Sequence, residues 1–337
     1  MKTETLSTHT PDLFQKAVHR ASVLLRAGEV VALPTETVYG LAANALDAKA
    51  VAKIFEVKGR PSHNPIIVHV AGNEMARDCV QNFSEMAEKC SRAFWPGPLT
   101  LIMPRADKIP DAVTAGGGTV GIRWPAHPFM QAVIRECGFP LAAPSANLSN
   151  QISPTNAEHV RVQLGGKISL IVDGGQSQVG IESTVLDLTV SPPKILRPGL
   201  IHAAALAAVC GEIQKAESGK RKAETALRSP GMLEKHYSPK ATLVVLKWRD
   251  DSDLSAQLAT FNLKLSTVHI IAYTKIPVSL GVADVSVIPH DAEAFARALY
   301  AELHRCDETG AKLIVVEAPP DSPEWSGIID RLRRAAA

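Results

Sequence analysis

The sequence predicts an α/β protein: a mixed β-sheet with helices, followed by a smaller Rossmann-like α/β domain. Three observations carry this. Short apolar runs of strand length alternate with stretches whose apolar residues recur at helical spacing. Several apolar runs follow one another across a mere turn, which a purely parallel sheet does not allow. The alternation stops at Gln214 and restarts beyond Lys240.

Taken in order, Pro11 to Ala27 reads as an amphipathic helix, with Phe14, Val18, Leu24 and Leu25 in register and Gly28 as a stop. VVALP (30–34) is a short buried strand, 47–57 a helix with Val51, Ile54 and Phe55 on one face, and IIVHV (66–70) a strand. A helix over 84–94 ends at WPGP, and LTLIMP (99–104) is a strand. A glycine turn leads into the strand of GIRWP. Then come a helix from His127 to Cys137, a buried strand in FPLAAPSAN and a helix over 155–164. The runs ISLIVDGG, STVLDLT and KILRPG are strands, and 200–213 is a helix. The following segment, KAESGKRKAETALRSPGMLEKHYSPK, lacks aliphatic periodicity and reads as a linker, although SPGMLEKHYSP is richer than a spacer requires. Beyond it, TLVVL, VHIIAY, VSVIP and KLIVVEAP are strands, with helices from Asp251, over 292–304 and over 322–334. No G-x-G-x-x-G accompanies them, so a dinucleotide role has no local support.

Of the 337 residues, 46% are hydrophobic and 21% charged, with a net charge of +2. That balance makes any anion site local rather than a property of the whole surface. The five cysteines are scattered and never form C-x-x-C, against a disulfide framework or structural zinc and in keeping with a reducing cytosol. The polar MKTETLSTHT carries no secretory signal, and no apolar run reaches membrane-spanning length, so a soluble cytoplasmic protein is expected.

No Walker A, G-x-S-x-G or H-E-x-x-H motif occurs. What remains is a set of polar tips at strand ends: PTETVYG (34–40), KGRPSHNP (58–65), GGGTVGIRWP (116–125), APSAN (143–147), ESTVLD (182–187) and RPG (197–199). Loops leaving one end of an α/β sheet are where ligands bind, so these tips are expected to converge. Lys58 and Arg60, one glycine apart in an extended loop, would point the same way around an anion. The charges alone leave two solvated surface cations equally open, worth ~0–1 kcal/mol either way. Thr119 after three glycines suits a phosphate nest or a plain turn. Ser145 and Asn147 suit a nucleotide contact, a helix cap or an Asx turn. His69, within a strand, reads as a core residue. Arg123, in a buried strand, needs an anion or an acidic partner, and Arg197 has the same need if it is buried. Glu36 and Glu182 could hold magnesium or pair with an arginine.

The motifs PTET-x-YGL, K-x-R-P-x-x-x-NP, S-x-N and ST-x-(V/L)D, in this order, resemble the YrdC-domain threonylcarbamoyl-AMP synthase family in its longer, two-domain form. The resemblance implies a YrdC-like catalytic domain over 10–213, a linker over 214–240 that folds over the active site, and an accessory domain over 241–337. It implies formation of threonylcarbamoyl-AMP and pyrophosphate from L-threonine, bicarbonate or CO2 and ATP with Mg2+. The product feeds threonylcarbamoyladenosine modification of tRNA through a downstream tRNA threonylcarbamoyl transferase machinery. Carried over by motif, Lys58, Arg60, Asn64, Thr119, Ser145, Asn147, Ser153, Arg197 and Tyr237 would contact ATP. Thr35, Thr37, His69, Arg123, Ala143 and Ser183 would line the threonine site, Ala143 through its backbone. Lys58, Arg60 and Arg123 would carry catalysis, and no metal ligand is assigned. Because nearly everything reacting is anionic, fixed positive charge and exclusion of water suit this chemistry.

Two rivals are a carbamoyl transferase of hydrogenase maturation and a non-catalytic RNA-binding module. The first carries acylphosphatase-like and zinc-finger segments ahead of the shared domain, and neither precedes the helix at Pro11 here. The second fits poorly with near-zero net charge, so only weak RNA contact is expected.

Overall fold

The computed structural model describes residues 2–214 and 237–337. They form two compact units. The first runs to Ser149 and resumes at Ser153; Asn150–Ile152 go with the second.

The first unit contains, in order, β1 (Glu4–Ser7), α1 (Pro11–Arg26), β2 (Val31–Leu33), β3 (Gly40–Asn44), α2 (Ala48–Lys58), β4 (Ile67–His69), α3 (Asn73–Asp78), α4 (Glu85–Phe94) and β5 (Leu99–Pro104). It continues with α5 (Asp111–Thr114), β6 (Thr119–Arg123), α6 (Pro128–Cys137), β7 (Leu141–Ala142), α7 (Ala157–Leu164), β8 (Leu170–Asp173), β9 (Thr184–Asp187), β10 (Lys194–Arg197) and α8 (Ala203–Cys210). The ten strands form one mixed sheet in the order β1-β8-β2-β3-β7-β4-β6-β5-β9-β10.

Local chemistry sets the helix limits. Thr10 accepts a bond from the Leu13 amide and Pro11 opens α1, where a missing N–H costs nothing. Asp47 caps α2 through the amides of Lys49 and Ala50. Gly59, at φ 60°, closes α2 in the left-handed conformation that glycine adopts without strain.

Alternate residues of the strands feed opposite faces of the sheet. Val31 and Leu33 join α1 and α6, through Ala21, Leu25, Phe129 and Val133, in one core. Ala32 joins α2, α4, α7 and α8, through Ile54, Cys90, Val160 and Leu206, in the other. Both faces are therefore covered, which is why the strands read as continuous apolar runs.

The second unit contains β11 (Thr242–Leu246), α9 (Asp251–Ala259), β12 (Val268–Ala272), β13 (Asp284–Val287), α10 (Ala292–Glu308), β14 (Leu313–Glu317) and α11 (Ser326–Ala335). Its sheet, β11-β14-β12-β13, is wholly parallel, the Rossmann-like arrangement expected. Glu317, at the carboxyl end of β14, accepts bonds from the amides of Tyr273, Thr274 and Lys275, so an internal carboxylate caps that edge.

Most of the expected linker, residues 215–236, lies outside the described residues, and so does any folding of it over a site. Tyr237, the first described residue beyond it, belongs to the second unit. It sits at φ 63° with its ring 5.9 Å from that of Tyr300 and the Arg331 guanidinium 5.3 Å from its centre. Among the described residues no helix is long and apolar enough to cross a membrane.

Candidate active site

The PTETVYG loop, between β2 and β3, organises the polar tips of the first unit. The Thr35 hydroxyl donates to the Val38 carbonyl at 2.6 Å and lies 2.9 Å from the Thr37 hydroxyl. The Glu36 and Thr37 carbonyls accept the amides of Val179 and Gly180, and the Tyr39 amide donates to the Pro154 carbonyl. The loop is thereby sewn to the chain around Ser153 and to the approach to β9.

Arg123, the last residue of β6, is 4% exposed, too buried to stand without partners. Its Nη1 donates to the Thr37 hydroxyl at 2.9 Å and its Nε to the Gly97 carbonyl at 3.2 Å. Its Nη2 lies 2.6 Å from Glu36 Oε1. Of the two roles open to Glu36, the arginine partner is the one the structure adopts. Burial would raise the Glu36 carboxyl pKa, but the Arg123 charge and hydrogen bonds outweigh it and hold the pKa below its ordinary value.

His69 ends β4 and pairs in register with Arg123 across the parallel β4–β6 ladder. Burial, then the Arg123 charge, pull its pKa down to about 3 despite the opposing pull of Glu36. The imidazole is therefore neutral at physiological pH, and its buried Nδ1 has no hydrogen-bond partner. On the other side of β4, Ala143 donates its amide to the Ile67 carbonyl, while Leu141 is the residue opposite His69.

A second cluster lies at β9 and β10. Arg197 donates through Nε to the Ser183 carbonyl at 3.0 Å and through Nη2 to the Ser183 hydroxyl at 3.1 Å. That hydroxyl also lies 2.8 Å from the Thr100 hydroxyl. Ser153 donates to Glu182 at 2.6 Å.

Lys58 departs from expectation. It is the last residue of α2, not part of an extended loop, because Gly59 caps the helix immediately after it. Its ammonium is buried and points inward to the Ser145 carbonyl at 2.5 Å, the Asn147 carbonyl and the Asn147 side-chain oxygen. Burial, then nearby Arg60, push its pKa well below the ordinary lysine value. Lys58 thus braces the APSAN loop, and the picture of two parallel cations around one anion does not hold.

Arg60 donates to the carbonyls of Asn64 and Pro65 at 3.2 and 2.9 Å, closing its own loop. Asn64 is buried, and its side-chain oxygen has no partner. Nor do all the tips lie at carboxyl ends of strands. The Asn64 loop and Thr119 stand at the amino ends of parallel β4 and β6, where Pro65 and Thr119 line one hollow. His69 and Arg123 stand at the carboxyl ends. A five-residue strand spaces Thr119 from Arg123 by about 13 Å.

The structure thus gathers Thr35, Thr37, His69, Arg123 and Ala143 in one region and Ser183 with Arg197 at the adjoining strands. Lys58 joins Ser145 and Asn147, while Tyr237 lies in the other unit. Sequence reasoning missed Gly97, whose carbonyl holds Arg123, although WPGP marked the turn. It also missed Thr100, a lone polar residue in the apolar LTLIMP.

Known proteins share both parts of the chain. A family model described as "Telomere recombination", of Sua5, YciO and YrdC type, matches residues 23–199. A model for the C-terminal domain of threonylcarbamoyl-AMP synthase matches 201–337. The threonylcarbamoyl-AMP synthase of Pyrococcus abyssi is 39% identical over 94% of this chain and 93% of its own length. That of Bacillus subtilis is 41% identical over 99% and 95%. A crystal structure of P. abyssi Sua5 complexed with L-threonine superposes with a TM-score of 0.91 at 37% identity, covering 100% of this chain and 98% of that one. With both domains matched in sequence and fold over nearly their whole length, the chain belongs to the threonylcarbamoyl-AMP synthase family.

Proposed function

We infer that the protein is an L-threonylcarbamoyladenylate synthase, a nucleotidyltransferase that makes threonylcarbamoyl-AMP and pyrophosphate from L-threonine, bicarbonate or CO2 and ATP. The observation that carries this reading is the buried Arg123, fixed by Glu36, Thr37 and Gly97 beside a neutral His69. A rigid guanidinium with an uncharged imidazole suits an amino acid: Arg123 faces its carboxylate, and His69 Nδ1 takes one of its polar hydrogens. Ser183 and the Ala143 backbone complete that side, with Thr35 and Thr37 holding Arg123 in line.

The threonine amine, once neutral, captures CO2 as a carbamate. A carbamate oxygen then attacks the α-phosphorus of ATP, and pyrophosphate leaves with the electron pair of the broken P–O bond. Arg60 and Arg197 meet the negative charge of the phosphates, where fixed cations act most strongly on the transition state. Asn64, Thr119, Ser145, Asn147 and Ser153 bind the nucleotide, Lys58 acting by bracing the APSAN loop.

Among the described residues no group of three or more His, Cys, Asp or Glu side chains could hold a metal ion. Glu36 is committed to Arg123, and Glu182 accepts from Ser153. Mg2+ is taken to arrive with ATP, as the counter-ion of its phosphates. The labile product passes to the tRNA threonylcarbamoyl transferase machinery in the cytoplasm.

Purified protein supplied with MgATP, bicarbonate and labelled threonine should release pyrophosphate and form a threonine-bearing adenylate. Pyrophosphate release that ignores threonine and bicarbonate would overturn the reading.

A further inference from the structure

Cys90 and Cys210 are separated by 120 residues, yet the fold sets their sulfurs 3.1 Å apart where α4 packs on α8. No spacing rule in the sequence couples them. Cys90 is wholly buried beneath α8, whereas Cys210, at the last position of that helix, is partly exposed. The pair is therefore open to a small oxidant from one side only. A disulfide needs sulfurs about 2.05 Å apart, so closure asks for roughly 1 Å of movement at a helix end.

We propose that Cys90 and Cys210 form a reversible, oxidant-responsive disulfide that staples α4 to α8. The oxidant is a small peroxide. The Cys210 thiolate attacks one peroxide oxygen, the O–O bond breaks, and Cys210 becomes a sulfenic acid with release of hydroxide. The Cys90 sulfur then attacks the Cys210 sulfur, forming the S–S bond and expelling the sulfenic oxygen as water. In sum, two thiols and one hydrogen peroxide give one disulfide and two waters.

The division of roles follows from the environment. Hydrogen bonding from Cys90 holds the Cys210 pKa below its ordinary value, and the same bond, with burial, raises that of Cys90. The exposed member is thus the better thiolate and the buried one the resolving thiol. The other three cysteines lack this arrangement. Burial raises Cys79 to about 11 and Cys306 to about 12, and it also raises Cys137.

The staple would matter at both helix ends. α4 runs into the Trp95–Pro98 strap whose Gly97 carbonyl receives Arg123. α8 follows the strand carrying Arg197. The disulfide itself does not depend on the synthase reading.

The full-length protein, treated with a modest excess of hydrogen peroxide and then denatured and alkylated, tests it. Titratable thiols should fall from five to three. A Cys90–Cys210 linked peptide should appear about 2 Da lighter than its two thiol peptides, and dithiothreitol should restore all five thiols. Closing so long a loop should raise Tm by about 10–20 °C. Either Cys210→Ser or Cys90→Ser should abolish both the linked peptide and the shift. Five thiols still titratable, a Cys210 sulfinic acid without a cross-link, or a disulfide between two chains would each overturn the proposal.

Discussion

Arg123→Met separates the two tasks of this arginine. The substitution keeps the aliphatic stem and removes the charge, leaving the Glu36 carboxylate, 7% exposed, without the guanidinium 2.6 Å away. Breaking a buried ion pair from one side costs about 3–5 kcal/mol. In a domain of this size each kcal/mol is worth about 2–4 °C, so Tm at pH 7 should fall by roughly 6–20 °C. The pH dependence should also invert. In the wild type, the folded-state pKa of Glu36 lies below its ordinary value, so its contribution is present above the unfolded pKa and fades on acidification. With Arg123 gone, burial, the largest influence, is opposed only by backbone hydrogen bonds from Ala126 and Glu36 itself, and the folded pKa rises. Glu36 then destabilises as pH rises above its unfolded value, and the variant should lose less Tm at pH 5 than at pH 7. Adding Glu36→Gln removes the stranded charge and should recover most of the Tm. Threonine-dependent pyrophosphate release should stay about 10²–10³-fold down in both variants, because the guanidinium is still missing. Calorimetry at pH 5 and 7, with a pyrophosphate assay on the same preparations, gives all four readings. A loss below about 1 kcal/mol, or no recovery with Glu36→Gln, would refute the ion-pair account.

Arg60→Ala should lower turnover by about 10²–10³-fold, the loss of one charge-stabilising donor, and should loosen the loop that its bonds to Asn64 and Pro65 close; wild-type pyrophosphate release would remove it from the site. His69 has a folded pKa near 3, below its unfolded value. It therefore contributes to the loss of stability as pH falls below about 6.5, and His69→Asn should flatten that part of a Tm–pH curve. Gly199→Ala would place a methyl 2.6 Å from the Thr184 amide nitrogen and 2.8 Å from the Glu182 carbonyl. Neither backbone atom can yield cheaply, so a marked fall in Tm is expected, with loss of the Arg197–Ser183 contacts visible as reduced turnover.

How far the sequence reached depended on the physical signal. Long periodic segments such as α1, α2, α6 and α10 were legible because one face of each is apolar. β1 was not: Glu4–Ser7 is a half-exposed edge strand whose composition matches a loop. Two short helices, α3 and α5, lack the length for periodicity to show. β3 hid behind PTETVYG, since GLAAN carries no β-branched residue. At the site, buried charge demanded a partner, so Arg123 with an acid could be foreseen. Lys58 could not, because one left-handed glycine decided whether its stretch was helix or extended loop. The Cys90–Cys210 meeting depends on two helices brought together by the whole sheet.

The place of β1 has a consequence in time. Glu4 pairs with Leu170, so β8 stands between β1 and every strand made in the interval. At ribosomal rates of about 5–20 residues per second, the partner of β1 is synthesised on the order of 10–30 s after it. Until then the first strand has no edge to join, and β2 lacks the neighbour that covers its outer side. The sheet closes from a late strand inserted between two early ones, so a ribosome paused before β8 would hold a chain with two open strand edges at once.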